Sequence, residues 1–288
     1  MRITFIRHGE SVSNAAGIWQ GHANAELSDR GRAQAEAVAE RLRGEAVDRI
    51  VCSDLARAHA TAEAIGAAVG RTPEPVEVWR EIHLGRWEGL RRDEVAARYP
   101  DEIAALARGE DIRVGGGERW SDLLARIGGA FTELATGPED HVIVVVHGGV
   151  IVTLLSDLLG VFAARPRPVG KLSNTSLTRV EVGGGRTVVR SYNDALHVDA
   201  EASWTRELNE RGRRVTAMRP ADSGGAVTEP AGDGLTEITV RPEDLHRWAT
   251  DKLGDGRRAE LALPQVGARC LSVASRSGGT VWSWNEGV

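Results

Sequence analysis

The feature that most constrains the fold is an alternation of short apolar runs with helical patterns through the first 200 of 288 residues. Strands are predicted at 2–6, 49–53, 75–79, 142–146, 176–182 and 187–192, and helices at 29–43, 55–69, 119–135 and 150–159. Such alternation is typical of an α/β sheet that is covered by helices on both faces. The run 142–146 is apolar at every position, as expected of a strand buried on both sides.

The composition changes after about residue 200. Residues 219–234, RPADSGGAVTEPAGDG, are rich in Pro, Gly, Ala and Asp, which is typical of a linker. We therefore predict a main domain at 1–200, a linker at 201–234 and a small α+β extension at 235–288, with a strand near 236–240, a helix at 242–253 and two or three further strands. Because about 54 residues are marginal alone, the extension is expected to pack onto the main domain or onto a second subunit in a homodimer.

Charge and cysteine content argue against several classes of function. The net charge of −5 is unfavourable for binding nucleic acid or an acidic membrane surface. The two cysteines, Cys52 and Cys270, imply no disulfide framework and fit a reducing cytoplasm, and Cys52 is expected to be a small core residue. The N-terminus shows no secretory signal pattern, and the apolar stretch 141–160 is broken by a His-Gly-Gly sequence, so we expect no membrane span.

Cationic and imidazole side chains cluster where three of the predicted strands end. Arg7 and His8 follow the first strand, Arg57 lies near the start of the helix after the second, and His147 follows the fourth. Ligands of open α/β sheets bind beyond the carboxyl ends of the strands. These side chains would form a pocket suited to a phosphoryl group, because arginine offers forked donors to its oxygens. A histidine that neighbouring cations keep neutral is also a competent nucleophile.

A glycine follows each of these two histidines, Gly9 after His8 and Gly148 after His147. Without a side chain, both positions are expected to let the backbone come close to a ligand. Gly148 also lies at the turn into a predicted helix, whose first N–H groups favour an anion.

These residues belong to a series of motifs that resembles the histidine phosphatase superfamily, in its phosphoglycerate-mutase-like branch 1. The motifs are RHGE at 7–10, WQGHANAELSDRGRAQA at 19–35, CSDLARAHATAEAI at 52–65, EIHLGRWEGL at 81–90, VVVHGGVI at 144–151 and YNDALHV at 192–198. The last of these resembles the ending of broad-specificity phosphatases of that branch. GGGERW at 115–120 departs from the family's G-G-E-S segment, since Arg119 replaces the serine. The resemblance covers about residues 1–200 and implies a three-layer α/β/α sandwich.

The resemblance also implies a role for each matching residue. His8 would attack phosphorus and form a phosphohistidine, while Arg7, Arg57 and His147 hold the phosphoryl oxygens. Glu81 would protonate the leaving oxygen and then take a proton from the hydrolytic water, with Glu88 as the rival carboxylate. The substrate would also contact Asn14, Gln20, Gly21 and Gly148. No metal ion or cofactor is required.

We therefore expect a metal-independent phosphomonoesterase that acts on a small phosphorylated metabolite. A phosphoglycerate-type mutase is the first alternative, although the segment after residue 90 resembles the phosphatase form. A catalytically silent phosphate-binding or scaffold protein is the second. Four arginines are expected to form a solvated charged face, with steering of an anionic substrate as the alternative: Arg86, Arg91, Arg92 and Arg113.

Overall fold

The computed structural model describes residues 1–163, 169, 172–198, 214–225, 235–253, 258–262, 269–275 and 278–286. The chain forms two compact units, residues 1–154 and 155–288. As far as the helix at this boundary, the elements are β1 (Arg2–Arg7), α1 (Val12–Ala15), α2 (Asp29–Leu42), β2 (Arg49–Cys52), α3 (Ala56–Val69), β3 (Glu74–Pro75), α4 (Arg92–Arg98), α5 (Pro100–Ala107), α6 (Trp120–Ala135), β4 (His141–Val146) and α7 (Gly148–Leu158). Short 3-10 helices cover Glu77–Trp79, Gly85–Trp87 and Val114–Gly116.

The sheet of the first unit is parallel, in the order β3-β2-β4-β1. All six residues of β4 are buried, which confirms the prediction of a strand at 142–146 that is buried on both sides. Helix α2 begins after Ser28, whose Oγ accepts a hydrogen bond from the Gly31 N–H at 3.0 Å. This serine satisfies one of the N–H groups that a helix start leaves without a partner.

Strand register brings the carboxyl ends of β1, β2 and β4 to one level. Arg7 pairs with Val146, and the His8 N–H donates to the Val146 carbonyl at 2.9 Å. On the other side of β4, the Ser53 N–H donates to the Val145 carbonyl at 3.0 Å. The residues that follow all three strands therefore meet at one edge of the sheet.

The second unit contains β5 (Leu177–Gly183), β6 (Arg186–Asp194), β7 (Arg214–Gly225), β8 (Leu235–Val240), α8 (Pro242–Leu253), β9 (Glu260–Leu261), β10 (Arg269–Ser275) and β11 (Gly278–Glu286). Strands β5 and β6 form a hairpin whose two turn residues, Gly184 and Gly185, have φ values of 58° and 74°. Two consecutive residues at positive φ are what a tight hairpin turn requires. Strand β6 also pairs with β9 and β11, β10 pairs with both β11 and β7, and β7 pairs with β8. The strand, helix and further strands predicted for the extension are confirmed.

Two sequence expectations differ from the structure. Residues 75–79 do not form one strand, because β3 ends at Pro75 and a 3-10 helix follows. The apolar side chain that suggested a strand, Trp79, is buried by the turn and meets Phe5 edge-on at 6.2 Å between ring centroids. The segment predicted as a linker contains β7, whose backbone pairs with β8 and β10, so Pro, Gly and polar residues did not prevent pairing there.

In the part of the chain that the structure describes, no helix is both long enough and apolar enough to cross a membrane.

Candidate active site

His8 lies at the tip of β1 and is oriented by the backbone that follows it. Its Nδ1 lies 2.6 Å from the Gly9 carbonyl oxygen, and only 3% of the residue is exposed. A carbonyl can only accept, so Nδ1 carries the hydrogen and a neutral ring has its lone pair on Nε2. Burial, followed by the charges of Arg57 and Arg7, holds the pKa of His8 well below its usual value. The geometry therefore provides a neutral imidazole with a basic Nε2.

His147 lies beside His8, with ring centroids 5.1 Å apart. The His147 side chain is fully buried, and its Nε2 lies 2.8 Å from Ser53 Oγ. Its Nδ1 is buried and has no hydrogen-bond partner within the described part of the chain. Burial lowers the pKa of His147 strongly, and the nearby Arg57 lowers it further.

Arg57 lies in the first turn of α3, and its side chain reaches the loop that precedes α2. Its Nη1 donates to the Ala23 carbonyl at 2.8 Å and its Nη2 to the Gly21 carbonyl at 2.9 Å. Burial lowers its pKa to about 10, although Glu81 opposes the effect. Loss of hydration likewise lowers the pKa of Arg7, again against the attraction of Glu81. Both guanidinium groups remain cationic at neutral pH, so His8 and His147 lie beside two positive charges.

Glu81 reaches the start of α7 from the loop that follows β3. Its Oε2 accepts from the Gly149 N–H at 2.9 Å, and its Oε1 accepts from the Ile82 N–H at 2.9 Å. A Cβ atom on Gly149 would lie 2.3 Å from Glu81 Oε1, closer than van der Waals contact permits. A glycine at this position therefore lets the carboxylate approach the turn that carries His147.

Glu88, the rival carboxylate, supports the loop that holds Arg57. Its Oε1 accepts from the His22 N–H at 2.9 Å and from the Leu84 N–H at 3.0 Å. The same oxygen would lie 2.2 Å from a Cβ on Gly21, whose own φ is 50°. Glu88 thus fixes the backbone at Gly21, and the carbonyl there orients Arg57.

The four residues predicted to contact the substrate all lie in the first unit, and their surroundings differ. Asn14 belongs to α1, and its Oδ1 accepts from the Ser11 N–H at 3.3 Å, while the buried Gln20 accepts from Ser11 Oγ at 2.9 Å. Gly21 contributes its carbonyl to Arg57. At Gly148, the first residue of α7, an added Cβ would lie 3.5 Å from Arg7 Nε.

A family model described as the histidine phosphatase superfamily (branch 1) matches residues 3–195. The chain belongs to this superfamily. Phosphoglycerate mutase-like protein 4 of Arabidopsis thaliana is 35% identical over 205 residues, or 68% of this chain and 86% of that protein. A glucosyl-3-phosphoglycerate phosphatase of Mycobacterium tuberculosis is 36% identical over 190 residues, or 62% of this chain and 84% of that protein.

Solved structures agree with this membership. A mycobacterial glucosyl-3-phosphoglycerate phosphatase in complex with VO3 matches with a TM-score of 0.62 and 34% identity, over 67% of this chain and 98% of its own. A Bacillus stearothermophilus protein matches with a TM-score of 0.64 and 28% identity, over 69% and 99%. The three-layer α/β/α fold implied by the motifs is thus confirmed for this histidine phosphatase.

Of the two glycines that follow the histidines, Gly9 has a different role from the one expected. In this histidine phosphatase a Cβ on Gly9 would lie 2.5 Å from the Gly31 carbonyl oxygen, at the start of α2. Gly9 therefore permits close packing of two backbone segments rather than approach to a ligand. A motif identifies such a glycine but does not show which atoms lie against it.

Sequence reasoning missed three residues that orient the site. Ser53 contacts His147, and Gly149 admits Glu81. Thr61 Oγ1 accepts from the Gly9 N–H at 3.1 Å and donates to the Arg57 carbonyl at 2.7 Å, which links α3 to the turn after β1. Ser53 and Thr61 lie within the motif at 52–65, but their spacing does not reveal the contacts they make across the sheet.

Cys52 is fully buried in β2, and burial raises the pKa of its thiol to about 12, so it is a core residue rather than a nucleophile. Among the described residues, no group of three or more His, Cys, Asp or Glu side chains is arranged to hold a metal ion.

Proposed function

We propose that this histidine phosphatase hydrolyses phosphomonoesters through a phosphohistidine on His8, without a metal ion. The observation that carries the proposal is the His8 ring, whose Nδ1–H is bound to the Gly9 carbonyl and whose Nε2 has the lone pair. This ring lies beside the neutral His147 and among Arg7 and Arg57, which supply the positive potential that a phosphoryl group needs.

In the first step, His8 Nε2 forms a bond to phosphorus as the bond to the leaving oxygen breaks. Glu81 donates its proton to that oxygen, and the alcohol departs. In the second step, Glu81 removes a proton from water, whose oxygen attacks phosphorus and releases His8. Glu81 is proposed for both steps because backbone N–H groups hold it beside the turn of His147, whereas Glu88 is engaged in supporting the 21–22 loop.

We further propose that the substrate is a small metabolite with a carboxylate near its phosphate. Arg92 lies 5.5 Å from the centroid of the Trp19 ring, and it is close enough to Arg7 to lower the pKa of that residue. Within the described part of the chain Arg92 makes no ion pair, whereas Arg86 binds Glu102 at 3.0 Å. One similar protein, 34% identical over 204 residues, is a metal-independent phosphoserine phosphatase of Arabidopsis thaliana. Phosphoserine and phosphoglycerates both carry a carboxylate beside the phosphate.

Hydrolysis is preferred to phosphate transfer between substrate positions, although a probable phosphoglycerate mutase of Yersinia pestis is 32% identical over 211 residues. The phosphatase-like form of the segment after residue 90 supports hydrolysis. A cytoplasmic location, a main domain at 1–200 and a homodimer are further parts of the proposal. They rest on the low cysteine content, the motif coverage and the small size of the extension.

The test is release of inorganic phosphate from phosphoserine, 3-phosphoglycerate and para-nitrophenyl phosphate in the presence of EDTA. Wild type is expected to release phosphate, and His8→Ala is expected to release none. Arg92→Ala should raise KM for the two carboxylates but not for para-nitrophenyl phosphate, with Arg86→Ala as the matched control. Release that persists in His8→Ala would contradict the assignment of the nucleophile, and an isomerised phosphoglycerate without phosphate release would indicate a mutase.

A further inference from the structure

Ser53 and His147 form a hydrogen bond that the reaction scheme does not use. Ser53 Oγ and His147 Nε2 lie 2.8 Å apart, and both residues are fully buried. Ser53 follows β2 and His147 follows β4, so strand pairing fixes their separation. The contact faces away from the ring atom, Nδ1, that has no hydrogen-bond partner in the described part of the chain.

The direction of this hydrogen bond follows from the partners of Ser53. The Leu55 N–H donates to Ser53 Oγ at 3.3 Å, so the oxygen already accepts one hydrogen bond. Among the described residues, His147 Nε2 is the one group placed to accept the hydroxyl hydrogen of Ser53. A buried hydroxyl whose hydrogen had no acceptor would be left without the hydrogen bond that it makes in water, which is unfavourable. Ser53 therefore donates to Nε2, which places the ring hydrogen of a neutral His147 on Nδ1.

The tautomer of His147 matters because the ring is neutral. Burial and the charge of Arg57 hold the pKa of His147 well below its usual value, so the ring is neutral at neutral pH. A neutral imidazole has one N–H hydrogen, so Nδ1 donates a hydrogen bond if it carries that hydrogen and accepts one if it does not. With the hydrogen on Nε2, the Nδ1 lone pair would face the oxygens of a bound phosphoryl group and repel them.

We propose that Ser53 is a positioning residue that fixes the Nδ1–H tautomer of His147, so that a neutral imidazole donates a hydrogen bond to a phosphoryl oxygen. The inference rests on the proposed function for the identity of the ligand. It does not depend on His8, because the tautomer is a property of the free protein. Ser53 thus acts on the substrate through His147 rather than by contact.

The first readout is the tautomer of His147 in the full-length free protein, measured by long-range ¹H–¹⁵N NMR with ¹⁵N-labelled histidine. The signals of His147 are assigned by their loss in His147→Asn. Wild type is expected to show a protonated Nδ1 and a lone pair on Nε2. Ser53→Ala should show a mixture of tautomers or the Nε2–H form. Ser53→Thr, which keeps the hydroxyl, should retain the wild-type form.

The second readout is kcat/KM for para-nitrophenyl phosphate. Ser53→Ala should lose about 10-fold or more, up to the 10²–10³-fold that loss of a whole oxyanion donor produces. Ser53→Cys, of similar volume but a weak donor, should resemble Ser53→Ala, and Ser53→Thr should recover most of the rate.

A wild-type protein in the Nε2–H form would overturn the proposal. A Ser53→Ala protein that keeps the Nδ1–H form, whatever its kcat/KM, would also overturn it. So would a Ser53→Ala protein that changes tautomer while kcat/KM stays unaltered. If Ser53→Ala does not fold, Ser53→Cys decides by the same criteria. Turnover that survives in His8→Ala would defeat the proposed function but would leave the tautomer measurement valid.

Discussion

At the scale of single residues, Gly149 is the position where the absence of a side chain lets Glu81, the proposed acid–base, approach the turn of His147. A Cβ there would overlap Glu81 Oε1 at 2.3 Å, so Gly149→Ala should displace the carboxylate. We expect kcat to fall by up to about 10²–10⁴-fold, the usual contribution of a general acid–base. The control is Gly129→Ala in α6, where an added Cβ meets nothing within 4 Å. Steady-state kinetics with equal activity for both variants would contradict this role of Gly149.

The two buried histidines predict how stability depends on pH. Burial lowers the pKa of His8 and of His147 well below the unfolded value near 6.5. Between the lowered and the unfolded pKa, the unfolded chain binds more protons, so the free energy of unfolding falls as pH decreases below about 6.5. His147→Asn should make this dependence shallower in urea titrations between about pH 5 and 8. A slope unchanged by His147→Asn would mean that the ring is not held neutral.

At the scale of secondary structure elements, the sequence predicted strands and helices where patterns were long and regular. The apolar run at 142–146 and the helix at 29–43 are confirmed within two residues at each end. The prediction from sequence was wrong at 75–79, where a turn buries an apolar side chain, and in the predicted linker, where β7 pairs through its backbone. Helices α4 and α5 were not predicted.

The candidate site was predictable to the same extent and for a similar reason. His8 and His147 follow apolar runs, and parallel strands bring such positions to one edge of a sheet. Contacts between separate elements, such as Ser53 with His147, depend on register and rotamers, which local sequence does not encode.

Strand pairing in the second unit predicts what the C-terminal extension contributes. Strand β6 pairs with β9 through Val188 and Val189, and with β11 through Tyr192. Deleting 235–288 would remove both partners and expose backbone groups of β6. We expect the melting temperature, followed by circular dichroism, to fall by about 10 °C. The kcat of the protein that remains folded should be unchanged. An unchanged melting temperature with lost turnover would give the extension a catalytic role instead.

At the scale of the whole molecule, the proposed chemistry lies within residues 1–154. The proposed nucleophile, the cationic side chains and the proposed acid–base all belong to this unit, and the strands that position them are parallel neighbours. We therefore propose that this unit alone carries the covalent intermediate, with the phosphoryl group on His8 Nε2 during turnover. The other proposals on the site, from the tautomer of His147 to the role of Glu81, describe how that group is held or released.

The most direct test is mass spectrometry of the full-length protein, quenched in alkali during turnover of para-nitrophenyl phosphate, because phosphohistidine is labile in acid. We expect a phosphoryl group on His8 in wild type, more of it in Glu81→Gln, where water is not activated, and none in His8→Ala. Glu81→Gln should accumulate it because this leaving group departs without protonation. A phosphoryl group on another residue, or continued turnover with none on His8, would show that His8 is not the nucleophile.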